Sequence, residues 1–126
     1  MPSTVEDRDE ILQLLYRYNH TIDGGDANGW AETFTEDAVF DAAGNVLSGH
    51  DALRDFAASF KGRRHVVANP LVEIDGDTAT VRAYAVVFSG TTPSVVGLYE
   101  DELVRTHEGW RFAKRVFTLE SMNSSP

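Results

Sequence analysis

Apolar residues near the start of the chain recur at Ile11, Leu12, Leu14, Leu15, Tyr18 and Ile22, the period of a helix with one buried stripe. Ser3 or Thr4, followed by Glu6 and Asp7, suits its start, because oxygen atoms and carboxylates satisfy the free N–H groups there. Gly24-Gly25 stops it. Asp26 is placed to cap a second helix carrying Trp30 and Phe34, with Thr35-Glu36-Asp37 at its end. Ala38–Asp41 and Val46-Leu47 read as short strands joined through Ala43-Gly44-Asn45. A third helix follows Ser48-Gly49-His50-Asp51, with Leu53, Phe56, Ala57 and Phe60 on one side.

From His65 the pattern changes to strands. Val66-Val67 and Leu71–Ile74 form one strand broken near Asn69-Pro70, where proline cannot donate to a ladder and a bulge or edge is expected. Asp75-Gly76-Asp77 is a hairpin turn. Thr78–Ser89, Val95–Thr106 and Trp110–Leu119 are the remaining strands, separated by Gly90–Pro93 and His107-Glu108-Gly109, and Ser121–Pro126 is a polar tail. Helices first and an antiparallel sheet after them give an α+β class, a single domain over 1–126.

Composition narrows the function. Lys+Arg 11 against Asp+Glu 20 leaves a formal charge of −9, which repels phosphate backbones and anionic lipid, so neither nucleic acid nor membrane is expected as partner. There is no cysteine, which removes disulfides, thiolate metal sites and cysteine nucleophiles. Four scattered histidines, 20, 50, 65 and 107, lack a His-x-x-x-His pair, so no metal site is expected. No Gly-x-Gly-x-x-Gly, P-loop or Gly-x-Ser-x-Gly elbow occurs. The acidic N-terminal residues lack a secretory layout, and the expected compartment is the cytoplasm.

At about 100° per residue, Asn19 and Asp23 lie inside the apolar arc of the first helix, while His20 points away. A carboxylate there needs a hydrogen-bonding or cationic mate, unless it reaches solvent beside Gly24. His65 is either an ordinary half-buried residue or a general base. Simple alternation gives it the parity of Glu73, opposite to Val72 and Ile74, unless the Asn69-Pro70 break resets the facing. Tyr18, Tyr84 and Tyr99 either pack or polarise a carbonyl. Arg105, Arg111 and Arg115 are expected at solvated sheet edges, and Glu100-Asp101-Glu102 on a solvated strand face.

Six features in order resemble the SnoaL-like branch of the nuclear transport factor 2-like superfamily. They are Tyr18–Trp30, Phe34–Val39, Ser48–Leu53, Arg64–Pro70, Asp75–Ala79 and Glu108–Phe112. The resemblance implies a cone-shaped α+β barrel, with N-terminal helices in a strongly curved antiparallel sheet and a deep apolar pocket at the wide end. In the subgroup of scytalone dehydratase, bile-acid 7α-dehydratase and hexachlorocyclohexane dehydrochlorinase it implies an Asp–His dyad, matched by Asp23 and His65, with Tyr18 matching a tyrosine of the bile-acid enzyme. The second catalytic histidine of scytalone dehydratase would fall near Phe88 or Ser89, and neither is histidine.

The implied site has Asp23, His65 and Tyr18 as catalytic residues. Asn19, Tyr99, Tyr84, Phe40, Phe56 and Val67 would line the substrate pocket. The implied activity is a cofactor-independent lyase or isomerase, dehydratase-like, acting on a small apolar cyclic molecule with no metal and no cofactor. The alternatives are a non-catalytic small-molecule binding or association domain and a polyketide aldol cyclase. A homodimer or homotrimer is also implied, through a bare sheet side expected to carry Val95, Phe112 and Phe117.

Overall fold

A computed structural model of the chain describes residues 3–60 and 62–122. The elements run α1 (Thr4–Asp23), α2 (Ala27–Ala31), β1 (Phe34–Ala42), β2 (Asn45–Ser48), α3 (Gly49–Ala57), β3 (Arg64–Asp75), β4 (Thr78–Ser89), β5 (Thr92–Thr106) and β6 (Gly109–Met122). Six strands form one sheet in the order β2-β1-β6-β5-β4-β3. All neighbours are antiparallel except β1 and β6, which are parallel. The α+β class holds, with the helices on the inner face of the sheet. Among the described residues no helix is long and apolar enough to cross a membrane. The polar tail joins β6 for its first two residues, and 123–126 lie outside the described residues.

α1 starts where Ser3 Oγ accepts from the backbone N–H of Glu6, and ends at Gly24-Gly25, with Gly25 at φ 77°. Its buried stripe is Ile11, Leu14, Leu15, Tyr18, Asn19 and Ile22, joined by Asp7. Asp7 is a polar residue in an apolar setting, and its partners explain it. Arg105 grips its carboxylate at 2.6 and 2.9 Å, and the Trp110 indole N–H donates to it at 3.2 Å. Arg105 is thus a half-buried clamp between α1 and β5, not a solvated edge residue. α2 is shorter than expected: it stops at Ala31, and Phe34 opens β1 instead of lying on the helix. β5 begins at Thr92, inside the segment expected to be a loop.

Two of the register shifts in the sheet set the facing of His65 and Arg115. In β3 the register slips between Ala68 and Leu71, where Asn69 takes φ 53°. One extra residue flips every side chain beyond it. His65 and Val67 therefore share the inner face with Val72 and Ile74, which is the resetting that the Asn69-Pro70 break allows. In β6 the register slips opposite Glu102 and Leu103, so that Phe112 and Arg115 both face inward although they differ in parity. A β-branched residue at position 69 should be strained by the left-handed backbone. Asn69→Val is expected to cost about 1–2 kcal/mol and to lower the thermal midpoint by several degrees, whereas Asn69→Gly should not.

The side of the sheet expected to be bare is differently composed. Val95 pairs with Val87 and, through it, aligns with His65 on the inner row; Phe112 is fully buried and Phe117 packs on the core. The outer face instead carries Val66, Leu71, Tyr84 and Val96, all exposed.

Candidate active site

The end of α1 and the start of β3 bring Asp23 and His65 together from 42 residues apart. His65 Nδ1 lies 2.6 Å from Asp23 Oδ1, and the His65 backbone N–H donates to Oδ1 at 3.1 Å and Oδ2 at 2.9 Å. The carboxylate therefore holds both the ring and the main chain of the histidine. Accepting from Nδ1–H leaves Nε2 with its lone pair free, the tautomer a base requires. The two side chains are 13% and 8% exposed, so neither stands in bulk water. Arg64 approaches Oδ2 only at 3.9 Å, from a largely exposed position where screening leaves little attraction. A cavity of about 380 Å³ beside the pair is lined by Asn19, His20, Asp23, Gly24, Arg64 and His65.

Burial pushes the His65 imidazole below its ordinary value of 6.5, outweighing the hydrogen bond and charge of Asp23, with Arg115 and Arg63 adding to the downward push. The ring is thus neutral at pH 7. Because the folded value lies below the unfolded one, its contribution to stability is complete above pH 6.5 and declines as pH falls through the folded value. A proton NMR titration should give a His65 midpoint below 6.5. A midpoint above it would mean that Asp23 dominates over burial.

Deeper inside lies a second polar pair. Arg115 donates through Nε and Nη2 to the two oxygens of Asp101 at 2.7 and 3.0 Å, and both side chains are at most 1% exposed. The guanidinium carbon sits 3.5 Å from the ring centre of Tyr99, 4.3 Å from Tyr18 and 4.5 Å from Phe112. A cation held this way is balanced by one carboxylate and three ring faces. Burial works against the charge of Arg115, but Asp101 and the two phenols outweigh it and hold the group firmly protonated. Burial raises both phenols above the ordinary tyrosine range, Tyr99 the further, while the Arg115 charge opposes the rise at each. Both therefore remain O–H donors at neutral pH.

This pair corrects two expectations. Arg115 is not at a solvated edge, because the β6 bulge turns it inward. Asp101 is not on a solvated face, because it alternates with buried Tyr99 and Leu103. That alternation was the available signal for Asp101. For Arg115 there was none without the bulge.

The other expected residues divide. Asn19 is buried and lines the cavity beside the dyad. Tyr18, Tyr99 and Phe40 are buried, packed ring against ring with Trp30, Phe34 and Phe112. Phe56 and Val67 are half-buried against the same core. Phe60 extends the cluster to His65, their ring centres 6.2 Å apart. Tyr84 does not belong to the site: it stands on the outward row of β4 and is exposed.

Comparison with known proteins agrees with this architecture. The chain is 35% identical to an uncharacterized protein of Mycobacterium tuberculosis, over 90% of this chain and 86% of that protein. A solved structure of a Mycobacterium tuberculosis protein of unknown function is 36% identical, with a TM-score of 0.86, covering 94% of this chain and 79% of that one. A nuclear transport factor 2-like protein with a cystatin-like fold from Novosphingobium aromaticivorans is 30% identical, with a TM-score of 0.83 and coverage of 96% and 85%. The SnoaL-like domain profile matches residues 3–116, and the chain belongs to that family, with a nuclear transport factor 2-like fold.

Proposed function

We propose that the protein is a lyase or isomerase of the dehydratase type, in which the Asp23–His65 dyad removes a proton from carbon next to a carbonyl or a leaving group. The observation that carries this is the 2.6 Å contact between Asp23 and His65 Nδ1, made by two largely enclosed side chains. Nε2 accepts the proton, and Asp23 stabilises the imidazolium that results. A phenol O–H from Tyr18 or Tyr99, with the Arg115 charge behind it, donates to the oxyanion that develops. The aromatic surroundings of Tyr18 and Phe56 suit a small apolar, cyclic substrate. The proton transfer itself calls for neither a metal nor an organic cofactor.

Purified protein incubated with a panel of hydroxy-carbonyl and polyketide-like compounds should convert at least one, with loss of water, double-bond migration or ring closure read by mass spectrometry and NMR. Equal conversion by His65→Ala would refute the assignment. Binding without conversion, unchanged in Asp23→Asn, would identify a small-molecule carrier instead. Aldol cyclisation of a polyketide begins with the same proton transfer and would appear as ring closure.

We also propose self-association through the outer sheet face. Arg82 and Lys114 there alternate with Glu73, Glu100 and Glu102 around a groove of about 570 Å³ that includes exposed Leu71. Mixed charge beside apolar surface suits a second copy of the same face. Light scattering at micromolar concentration should give a dimer or trimer, and a monomer would contradict this.

A further inference from the structure

The cavity beside the dyad differs in charge from the rest of the surface. The chain carries a formal charge of −9, and its two larger grooves hold an excess of acid. The outer-face groove is lined by four carboxylates and two cations, and the groove between α2 and the β5–β6 turn by four carboxylates and three arginines. The dyad cavity has one carboxylate, Asp23, and one permanent cation, Arg64, with His20 beside them. Arg63 adds a second cation nearby, its guanidinium 5.0 Å from the centre of the Phe60 ring, which lies 6.2 Å from that of His65.

Asp23 does not occupy Arg64. Both Asp23 oxygens accept from the His65 backbone N–H, and Oδ1 also meets Nδ1. Arg64 Nε stays 3.9 Å from Oδ2, outside hydrogen-bond reach, and the guanidinium has no acceptor among the described residues. Asn19 leaves a second position unfilled. It lines the same cavity, is only 8% exposed, and its side-chain amide has no hydrogen-bond partner among the described residues. A buried amide left unpaired is costly, and a ligand oxygen would satisfy it. A guanidinium fork matches the two oxygens of a carboxylate. A phosphate dianion would set a second negative charge against Asp23.

We infer that the substrate carries a carboxylate, that Arg64 pairs with it at the lip of the dyad cavity, and that the Asn19 amide hydrogen-bonds an oxygen of the same ligand. Arg64 is then a specificity-determining residue, selecting an acid on an apolar body over its neutral counterpart. This rests on reading the dyad cavity as the reacting site of the proposed enzyme. Arg64 takes no part in proton transfer.

Two derivatives of the bicyclic ketone 2-tetralone test this, one carrying a carboxylate on carbon 6 and the other a neutral carboxamide there. Wild-type protein should bind the carboxylate roughly 5-fold more tightly than the carboxamide at low salt, the value of one well-placed but exposed ion pair. That preference should shrink at high salt and vanish in Arg64→Gln. Arg64 is largely exposed, so the variant should keep the wild-type thermal midpoint. In ¹⁵N-labelled protein the side-chain amide pair of Asn19, assigned by triple-resonance NMR, should shift when the carboxylate binds. Equal binding of the two derivatives by wild type, a preference that persists in Arg64→Gln, an unmoved Asn19 amide, or no binding of the carboxylate at millimolar concentration would overturn the inference. Loss of the proton-transfer reading alone would look different: the carboxylate would still be preferred through Arg64, with no deuterium exchange dependent on His65.

Discussion

Asp101→Ala should lower the stability of the protein by about 3–5 kcal/mol, a fall of roughly 10–20 °C in thermal midpoint. The reason is the guanidinium left behind. Arg115 is 1% exposed and its Nε and Nη2 donate only to Asp101, so removing the carboxylate strands a full charge beneath three rings. The attraction of ring faces recovers part of the loss but not all of it. Arg115→Met alone should be nearly as harmful, because Asp101 then remains buried as an acid. The double variant Asp101→Leu/Arg115→Met should recover most of the lost stability, since an apolar pair of similar volume has no charge to desolvate. Urea and thermal unfolding of wild type, Asp101→Leu, Arg115→Met and the double variant give the coupling directly. Single variants within 1 kcal/mol of wild type would show that the pair is not confined as described. The double variant should fold and still be a poor catalyst, for it leaves Tyr18 and Tyr99 without the cation behind them.

The largest effect on activity is expected at His65. His65→Ala should reduce turnover by about 10²- to 10⁴-fold, the usual contribution of a positioned general base. Asp23→Asn should lose activity as well. An amide can hold the ring only in part and gives no charge to stabilise imidazolium, so the loss should fall on turnover more than on substrate binding. Since burial keeps His65 below 6.5, the acid limb of the rate profile should lie below that pH, with activity constant from there through neutrality. An acid limb well above 6.5 would assign the base to another group.

How much of this was legible in the sequence depends on the element. The period of Ile11, Leu15, Tyr18 and Ile22 forces a helix with Asn19 on its buried side, and the Gly24-Gly25 stop puts Asp23 at its end. The β3–β4 and β5–β6 pairings follow from turn chemistry at Asp75-Gly76-Asp77 and His107-Glu108-Gly109, whereas the parallel pairing of β1 with β6 has no such local signal. Facing was legible only where alternation is unbroken. Asp101 lay within reach, two residues from both Tyr99 and Leu103, but its neighbours Glu100 and Glu102 disguised it as one of a solvated triplet. Arg115 was out of reach. With Trp110 and Phe112 inward, alternation sends residue 115 outward, and only the extra residue in β6 reverses it. The same device in β3 turns His65 inward, and there Asn69-Pro70 announced it. Trp30 and Phe34 are four apart, a spacing that reads as helical but that a helix end followed by a strand also produces. What local pattern does not encode is the meeting of residues 23 and 65, or of 101 and 115 with the two phenols. Those contacts depend on sheet curvature and bulges, which set distance only after the whole chain has closed.

In the proposed reaction His65, oriented by Asp23, abstracts a proton from carbon. Incubating the protein with 2-tetralone in D₂O measures that step without knowledge of the natural leaving group. Deuterium should enter next to the carbonyl faster than in buffer, and this exchange should be abolished in His65→Ala and strongly reduced in Asp23→Asn. Bound 2-tetralone that exchanges no faster than in buffer, or exchange that persists in His65→Ala, would contradict it.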